Sequence, residues 1–265
     1  MNMTGVETVS GENTLFSVCF QYPDSTGGNI TSANSACRKV TAKDIECFFN
    51  NLKPDGRKEM ILAVPEVPLA PRLKLLEIGR NRSSFNIVSV LPAEIDEFKN
   101  GDGFMLTDLL SINIDEAGKI AGLESAPSDT VINACLNVLT GINSKMMVFI
   151  TDGPNGSYGY SNGRLEFIPP LKTKAIGTGG AGDAFLSGII TGVCCGLPAL
   201  KNYSDHYFSE TPLASAGELG TLLASFSVTS PDTIHPSANA QTLYDYALHN
   251  SVCFSADFAR LFNHI

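Results

Sequence analysis

Gly177-Thr178-Gly179-Gly180-Ala181-Gly182-Asp183 runs directly into the apolar stretch 184–195. Four glycines within six positions open backbone dihedrals closed to other residues and let N–H groups approach a ligand without interference from side chains. The stretch that follows is apolar nearly all round, as expected of a buried helix, and Gly196 with Pro198 supplies its stop. A helix start contributes unpaired N–H groups and the positive end of its dipole, so glycines and helix together make an anion site. Asp183 stands at the mouth of that site, where a carboxylate either caps the helix or serves as a base beside a bound phosphate; the spacing alone fits both. A plain flexible loop is the alternative for the glycines themselves.

Two other phosphate motifs are excluded. Gly177, Gly179 and Gly182 fit G-x-G-x-x-G, but a dinucleotide fold needs a strand ending in an acidic residue about 20 positions later. Here 197–211 is broken by Pro198 and rich in polar residues. No lysine follows the glycines, so the P-loop pattern is absent too.

Upstream, residues 15–22 mix aromatic and β-branched side chains with polar ones, and Pro23-Asp24-Ser25-Thr26-Gly27-Gly28-Asn29 supplies turn residues. A strand, a turn and a short return strand near Ile30 are expected. From Thr41 the period changes. Helices are expected over 42–50 and 70–80 around a strand at 60–64, then a strand at 86–91, a helix at 93–99 and a strand end at 109–113. Helices at 115–123 and 130–139 and a buried strand at 146–151 follow. This alternation predicts the doubly wound α/β class, a largely parallel sheet flanked by helices. Further on, 158–160 and 164–168 flank Ser161-Asn162-Gly163 as a hairpin, and 213–228 reads as a second buried helix. No repeat or low-complexity linker divides the chain, which reads as one domain over 1–265.

With 265 residues, 43% of them hydrophobic and 17% charged, the chain can bury the core an enzyme needs. No apolar run approaches the roughly 20 residues of a membrane-spanning helix, and the first ten residues lack the pattern of a secretion signal, so a cytoplasmic protein without membrane contact is expected. A formal charge of -9 without any basic block argues against nucleic acid as a partner. Any anionic ligand must be held locally. The seven cysteines are odd in number and lack C-x-x-C spacing, so reduced and mostly buried thiols are expected rather than a zinc site.

The run from Gly177 to Phe185, with Leu186-Ser187-Gly188, resembles the C-terminal signature of the ribokinase-like carbohydrate kinases, the PfkB family, which reads D-T-x-G-A-G-D-x-F. Thr178, Gly180, Ala181, Gly182 and Asp183 match it. Val148-Phe149-Ile150-Thr151-Asp152-Gly153-Pro154-Asn155-Gly156 is similar to the family's strand followed by T-x-G-x-x-G, and Asn113-Ile114-Asp115-Glu116 to its N-x-x-E motif. Ser227-Val228-Thr229 followed by Pro231 is similar to a segment lying near the nucleotide. Local readings stay open beside these: a turn ending a strand at Thr151 and Gly153, and a capping box at Asn113 and Glu116.

The resemblance implies ATP-dependent phosphorylation of a hydroxyl on a sugar or similar small molecule. Asp183 would be the catalytic base, with Gly180, Ala181 and Gly182 as anion hole. Thr151, Gly153, Gly156 and Thr178 would bind nucleotide, while Asn113 and Glu116 would place Mg²⁺ through water. It further implies a lid of strands over 14–32, through which relatives often form homodimers. Two departures stand out. Gly177 replaces the signature's first acidic residue, which in many relatives helps bind a monovalent cation, so little potassium stimulation is expected. The resemblance also starts only at the lid strands, so the family's N-terminal, acceptor-binding strands are expected to be missing. A nucleotide-binding or interaction protein without turnover is therefore the second reading.

Overall fold

Along 60–63 burial alternates, with Ile61 and Ala63 buried while Met60 and Leu62 face outward, the period of two that a pleated strand imposes. Along α6 (Ala181–Cys194) the buried positions are Phe185, Leu186, Gly188, Ile189 and Gly192, the spacing of one helix face. Strands and helices of these kinds alternate along the chain. The computed structural model describes residues 5–22, 27–32, 34–52, 56–201 and 211–262, and the chain divides into two compact units.

The first unit is Met1–Leu110 with Leu139–Met146. In it β1 (Ser17–Gln21) pairs antiparallel with β2 (Gly27–Thr31), Ser17 opposite Thr31. Residues 23–26 of the expected turn lie outside the described residues. Val18, Phe20 and Ile30 on this two-stranded ribbon are exposed. Next come α1 (Ala42–Asn51), β3 (Met60–Ala63), α2 (Leu69–Asn81), β4 (Phe85–Val88), α3 (Ile95–Asn100) and the start of β5 (Leu109–Asn113). Thr41 caps α1, its hydroxyl accepting from Asp44 N while the Asp44 carboxylate accepts from Thr41 N. Strands β3, β4 and β5 are parallel, Met60 opposite Phe85 and Ile87 opposite Leu109. Buried Arg72 on α2 donates twice to Glu94, 2.8 Å each, and once to Ser89 O at 3.1 Å. That bidentate geometry is what makes a buried guanidinium tolerable.

The second unit is Ser111–Val138 with Met147–Ile265. It takes up the end of β5 and continues through α4 (Ile114–Ala121), most of α5 (Ser128–Ile142), β6 (Met147–Thr151), β7 (Ser157–Ser161) and β8 (Arg164–Ile168). Then come α6, α7 (Ala216–Ser227), α8 (Ala240–His249) and α9 (Ala256–Ala259). The strand order is β5-β6-β7-β8. The expected α/β sheet flanked by helices is present, parallel through β3, β4 and β5 and antiparallel at β6–β7 and β7–β8. The links explain why. Asn162 and Gly163, at φ 50 and 78, make a two-residue turn between β7 and β8, and a link that short can only reverse the chain.

Several boundaries differ from the pattern. Helix α6 begins at Ala181, so the last glycine of the cluster and Asp183 belong to its first turn. Its far end is a Schellman motif, with Leu197 N donating to Gly192 O at 2.9 Å and Gly196 N to Val193 O at 3.1 Å. Helix α7 begins only at Ala216, capped by Ser215, because Leu213 bridges Phe254 instead. The cysteine expectation is overturned in one respect. None of the seven cysteines is in a disulfide, but Cys135 alone is buried, and Cys19, Cys47, Cys194, Cys195 and Cys253 are exposed. Cys194 and Cys195 fall on the last turn of α6, off its packed face. Among the described residues no helix is long and apolar enough to cross a membrane.

Helices α6 and α7 meet through small residues. A Cβ on Gly188 would lie 2.6 Å from Gly220 Cα and 2.7 Å from Leu219 O, and one on Gly192 would lie 2.8 Å from Ala216 Cα. Both contacts are with backbone or Cα, which cannot swing aside. Gly188→Ala should therefore destabilise the protein by about 1–3 kcal/mol in urea unfolding, since overpacking outweighs the roughly 1 kcal/mol of helix propensity gained. A variant as stable as the parent would contradict this packing. Burial also pushes the Cys135 thiol up to about 12. At pH 8 it stays protonated, and only the thiolate reacts. Alkylation of the native protein should label the five exposed cysteines and reach Cys135 only after unfolding, as mass mapping would show.

Candidate active site

The site lies in the second unit and starts from one residue. Gly180 is the N-cap of α6 at φ 78, ψ 0, and offers no side chain to cap the helix. Asp183 follows as the third residue of the helix, exposed, and its carboxylate makes no capping bond. The capping reading of Asp183 is thus not what the structure adopts. Its carboxylate has no hydrogen-bond or ion-pair partner among the described residues, and as an anion in the first turn it is favoured by the helix dipole.

The backbone donors around it are open. Ala181 N donates to Thr178 O at 3.3 Å and Ala184 N to Gly180 O at 2.9 Å. The N–H groups of Gly179, Gly180, Gly182 and Asp183 have no acceptor among the described residues. Ala181 is therefore the weakest member of the expected anion hole, being already tied to Thr178. A Cβ on Gly182 would meet nothing within 4 Å, so the chain is open to solvent there. Open amides at a helix start, with a free carboxylate beside them, can hold an anion and take a proton from a group placed next to it.

Behind the glycines stands a segment that the local pattern did not mark in full. Val228 O accepts from Ile176 N at 2.7 Å and from Gly177 N at 3.3 Å. A Cβ on Gly177 would lie 2.8 Å from Ser230 O, and one on Gly180 would run into Thr233 O. Residues 228–233 are thus the wall on which the glycine turn is seated. The sequence pointed to 227–229 and Pro231, but Thr233 and His235 carried no signal of their own. Thr233 is placed by its contact with Gly180, about 50 positions earlier, and His235 by its stack on Phe226 of α7.

The second expected motif closes a tight turn at the end of β6. Thr151 is the last residue of the strand and is half-buried. Asp152 N then donates to Gly156 O at 2.8 Å around the turn Gly153–Asn155, with Gly153 at φ 52 and Gly156 at φ 109. Beside it the Tyr158 hydroxyl donates to Asp129 at 3.5 Å. Burial, and then the charges of Asp129 and Asp152, push that phenol above its usual range.

The third motif ends the neighbouring strand β5. Asn113 Oδ1 accepts from Glu116 N at 2.9 Å, and Glu116 Oε2 accepts from Asn113 N at 2.7 Å. This is a reciprocal capping box, so the local reading of the pair is realised. Both oxygens are engaged, and the described residues contain no group of three or more His, Cys, Asp or Glu that could cage a metal. Such a pair suits Mg²⁺ that keeps its water, held mainly by a ligand's phosphates.

Comparison with known proteins bears on the family and the fold. The protein named "Probable fructokinase-7" of Arabidopsis thaliana is 33% identical over 97 residues, 37% of this chain and 27% of that protein. A bifunctional ribokinase/ribose-5-phosphate isomerase A of Fructilactobacillus sanfranciscensis is 25% identical over 217 residues, 80% of this chain and 38% of that protein. The chain thus spans well under half of either relative. Aminoimidazole riboside kinase from Salmonella enterica, solved with aminoimidazole riboside and an ATP analog, superposes with a TM-score of 0.66 at 16% identity, covering 92% of this chain and 76% of that one. Residues 18–240 match the pfkB family of carbohydrate kinases, and the chain belongs to that family and has its ribokinase-like α/β fold.

Proposed function

We propose that this chain transfers the γ-phosphoryl group of ATP to a hydroxyl of a sugar or sugar-like small molecule. The observation that carries the proposal is the Asp183 carboxylate on the first turn of α6, which has no partner among the described residues, beside amide N–H groups that have no acceptor among them. Asp183 takes the proton of the acceptor hydroxyl as its oxygen attacks the γ-phosphorus; the bond from that phosphorus to the bridging oxygen breaks and ADP leaves. The amides of Gly180 and Gly182, with Ala181 more weakly, face the charge that gathers on the transferring oxygens. Thr178 and the Thr151, Gly153 and Gly156 turn line the nucleotide side. Mg²⁺ bound with ATP neutralises part of the phosphate charge, and Asn113 and Glu116 would orient its water shell.

The acceptor class rests on the relatives' names, which include a fructokinase, a ribokinase and a riboside kinase. Cysteines outside any disulfide fit a reducing compartment, and the cytoplasm is where we place the protein. The exposed apolar residues of the β1–β2 ribbon suit a homodimer formed through these lid strands, since a lone two-stranded ribbon is marginal in water.

Asp183→Asn should lower turnover by about 10²-fold or more and leave the dissociation constant for ATP within about threefold, because the group acts on the proton and not on the nucleotide. ADP release over a panel of sugars and ribosides, beside calorimetry with ATP, tests both halves. Near-normal turnover in the variant would sink the assignment, and tight ATP binding without turnover of any acceptor would favour a non-catalytic nucleotide binder. Gly177 contributes only backbone where the signature has a carboxylate, and the wall at Ser230 already fills the side-chain space. Exchanging sodium for potassium should therefore change ATP affinity by less than about twofold; a severalfold gain would contradict this reading.

A further inference from the structure

We propose that His235 is a positioning residue for the anion cradle: stacked on Phe226, it clamps the arch 230–234 against the glycine turn. The inference deepens the kinase reading and rests on it for its functional half.

The arch has two anchored ends and an exposed middle. At one end Ser230 is buried and its hydroxyl accepts from Asp232 N at 3.1 Å. Pro231, Asp232, Thr233 and Ile234 are exposed, Ile234 at 82%. At the other end the imidazole of His235 lies on the ring of Phe226, centroids 4.2 Å apart and planes 19° from parallel. Its Nδ1 accepts from Ser237 N at 3.2 Å, which fixes the ring's rotation. Phe226 is itself buried and braced by Tyr246, at 5.3 Å, whose hydroxyl donates to Ser225 O at 3.1 Å.

What the arch carries is the Thr233 carbonyl, which occupies the place a Cβ of Gly180 would take. That carbonyl is the stop against which the left-handed turn at Gly180 rests. The last turn of α7 therefore grips the glycine loop twice, directly through Val228 O on Ile176 and Gly177, and indirectly through Phe226, His235 and Thr233. Without the stack the arch keeps Ser230 at one end and, at the other, only the local bonds of His235 to Ser237 N and Ala238 N. Thr233 can then withdraw, and the open amides of α6 lose the position from which they meet developing charge. A displacement on the order of 1 Å at such donors costs catalysis up to about 10²-fold while leaving remote binding contacts in place.

The test compares His235→Leu, which keeps apolar bulk without a ring face, with His235→Phe, which keeps the stack. Phe226→Leu repeats the loss from the other side. Expected for His235→Leu is a fall in kcat of about tenfold with KM for ATP within about threefold, and for His235→Phe recovery to within about twofold of the parent. Hydrogen exchange of the Ile176, Gly177 and Ala184 amides should quicken in the Leu variant and not in the Phe variant. Equal kcat in the Leu variant and the parent, or equal losses in the Leu and Phe variants, would overturn the clamp. If no acceptor is turned over even by the parent protein, the kinase reading falls and exchange decides alone: quickened exchange in both Leu variants supports the clamp, and unchanged exchange overturns it.

Discussion

The left-handed turn at Gly180 is the constraint on which the site depends. At φ 78, with the Thr233 carbonyl where a Cβ would be, no other residue fits. That conformation starts α6 at Ala181, and among the described residues it leaves the Gly182 and Asp183 amides without acceptors. Had a Ser, Thr or Asp capped the helix, its side-chain oxygen would have occupied one of those amides. A glycine cap gives up only roughly a few tenths of a kcal/mol relative to those residues and leaves the donors for a ligand.

A helix start left open must be held by something else. Here it is held from behind, where Gly188 and Gly192 let α6 approach Ala216 and Gly220 of α7 to near-contact. Phe185, one turn into α6, packs edge-on to Phe149 of β6 at 6.1 Å, tying the cradle to the strand whose end bears Thr151. Helix α7 is fixed in turn at its start. Buried Lys201 donates to Glu218 at 2.9 Å, to Thr211 at 2.8 Å and to Pro212 O at 2.7 Å, and the other Glu218 oxygen accepts from Ala214 N and Ser215 N. Every charge in this cluster is paired and hydrogen-bonded, the condition under which a buried ion pair is tolerated. Rigid scaffolding beneath an uncapped terminus is what a site acting through fixed dipoles requires.

How much of this could be read from sequence follows from the distance each feature spans. The glycine cradle, Asp183, the capping box at Asn113 and Glu116 and the turn after Thr151 are each local. The capping box and the turn find their partners within a few residues, and the glycines and Asp183 show in the spacing itself, although the wall behind the glycines comes from 228–233. The hairpin at Asn162 and Gly163 was legible for the same reason, but its place in the sheet was not, because periodicity reports a strand's faces and not its neighbours. Thr233 and His235 were invisible. Thr233 meets Gly180 across about 50 residues, and the stack of His235 on Phe226, nine positions back, forms only because α7 ends between them. The thiols misled because cysteine is buried on average, whereas Cys194 and Cys195 happen to fall past the last packed glycine of α6.

The two departures at the signature's start, Gly177 and Gly179, belong to the same arrangement as His235. Where the signature has an acidic side chain, this chain has bare backbone pressed on Ser230 and Pro231. A carboxylate at 177 could not enter without moving that wall, and the wall cannot move without releasing Thr233 from Gly180. An ion-dependent brace and a packed one are alternative ways to fix the same turn. Backbone packing against a stacked aromatic pair loses nothing when the salt changes, whereas a bound cation stabilises only in proportion to its occupancy. The loss of the acidic residue and the close approach of 230–233 are therefore two sides of one solution, in which the shape of the cradle is set by the chain itself.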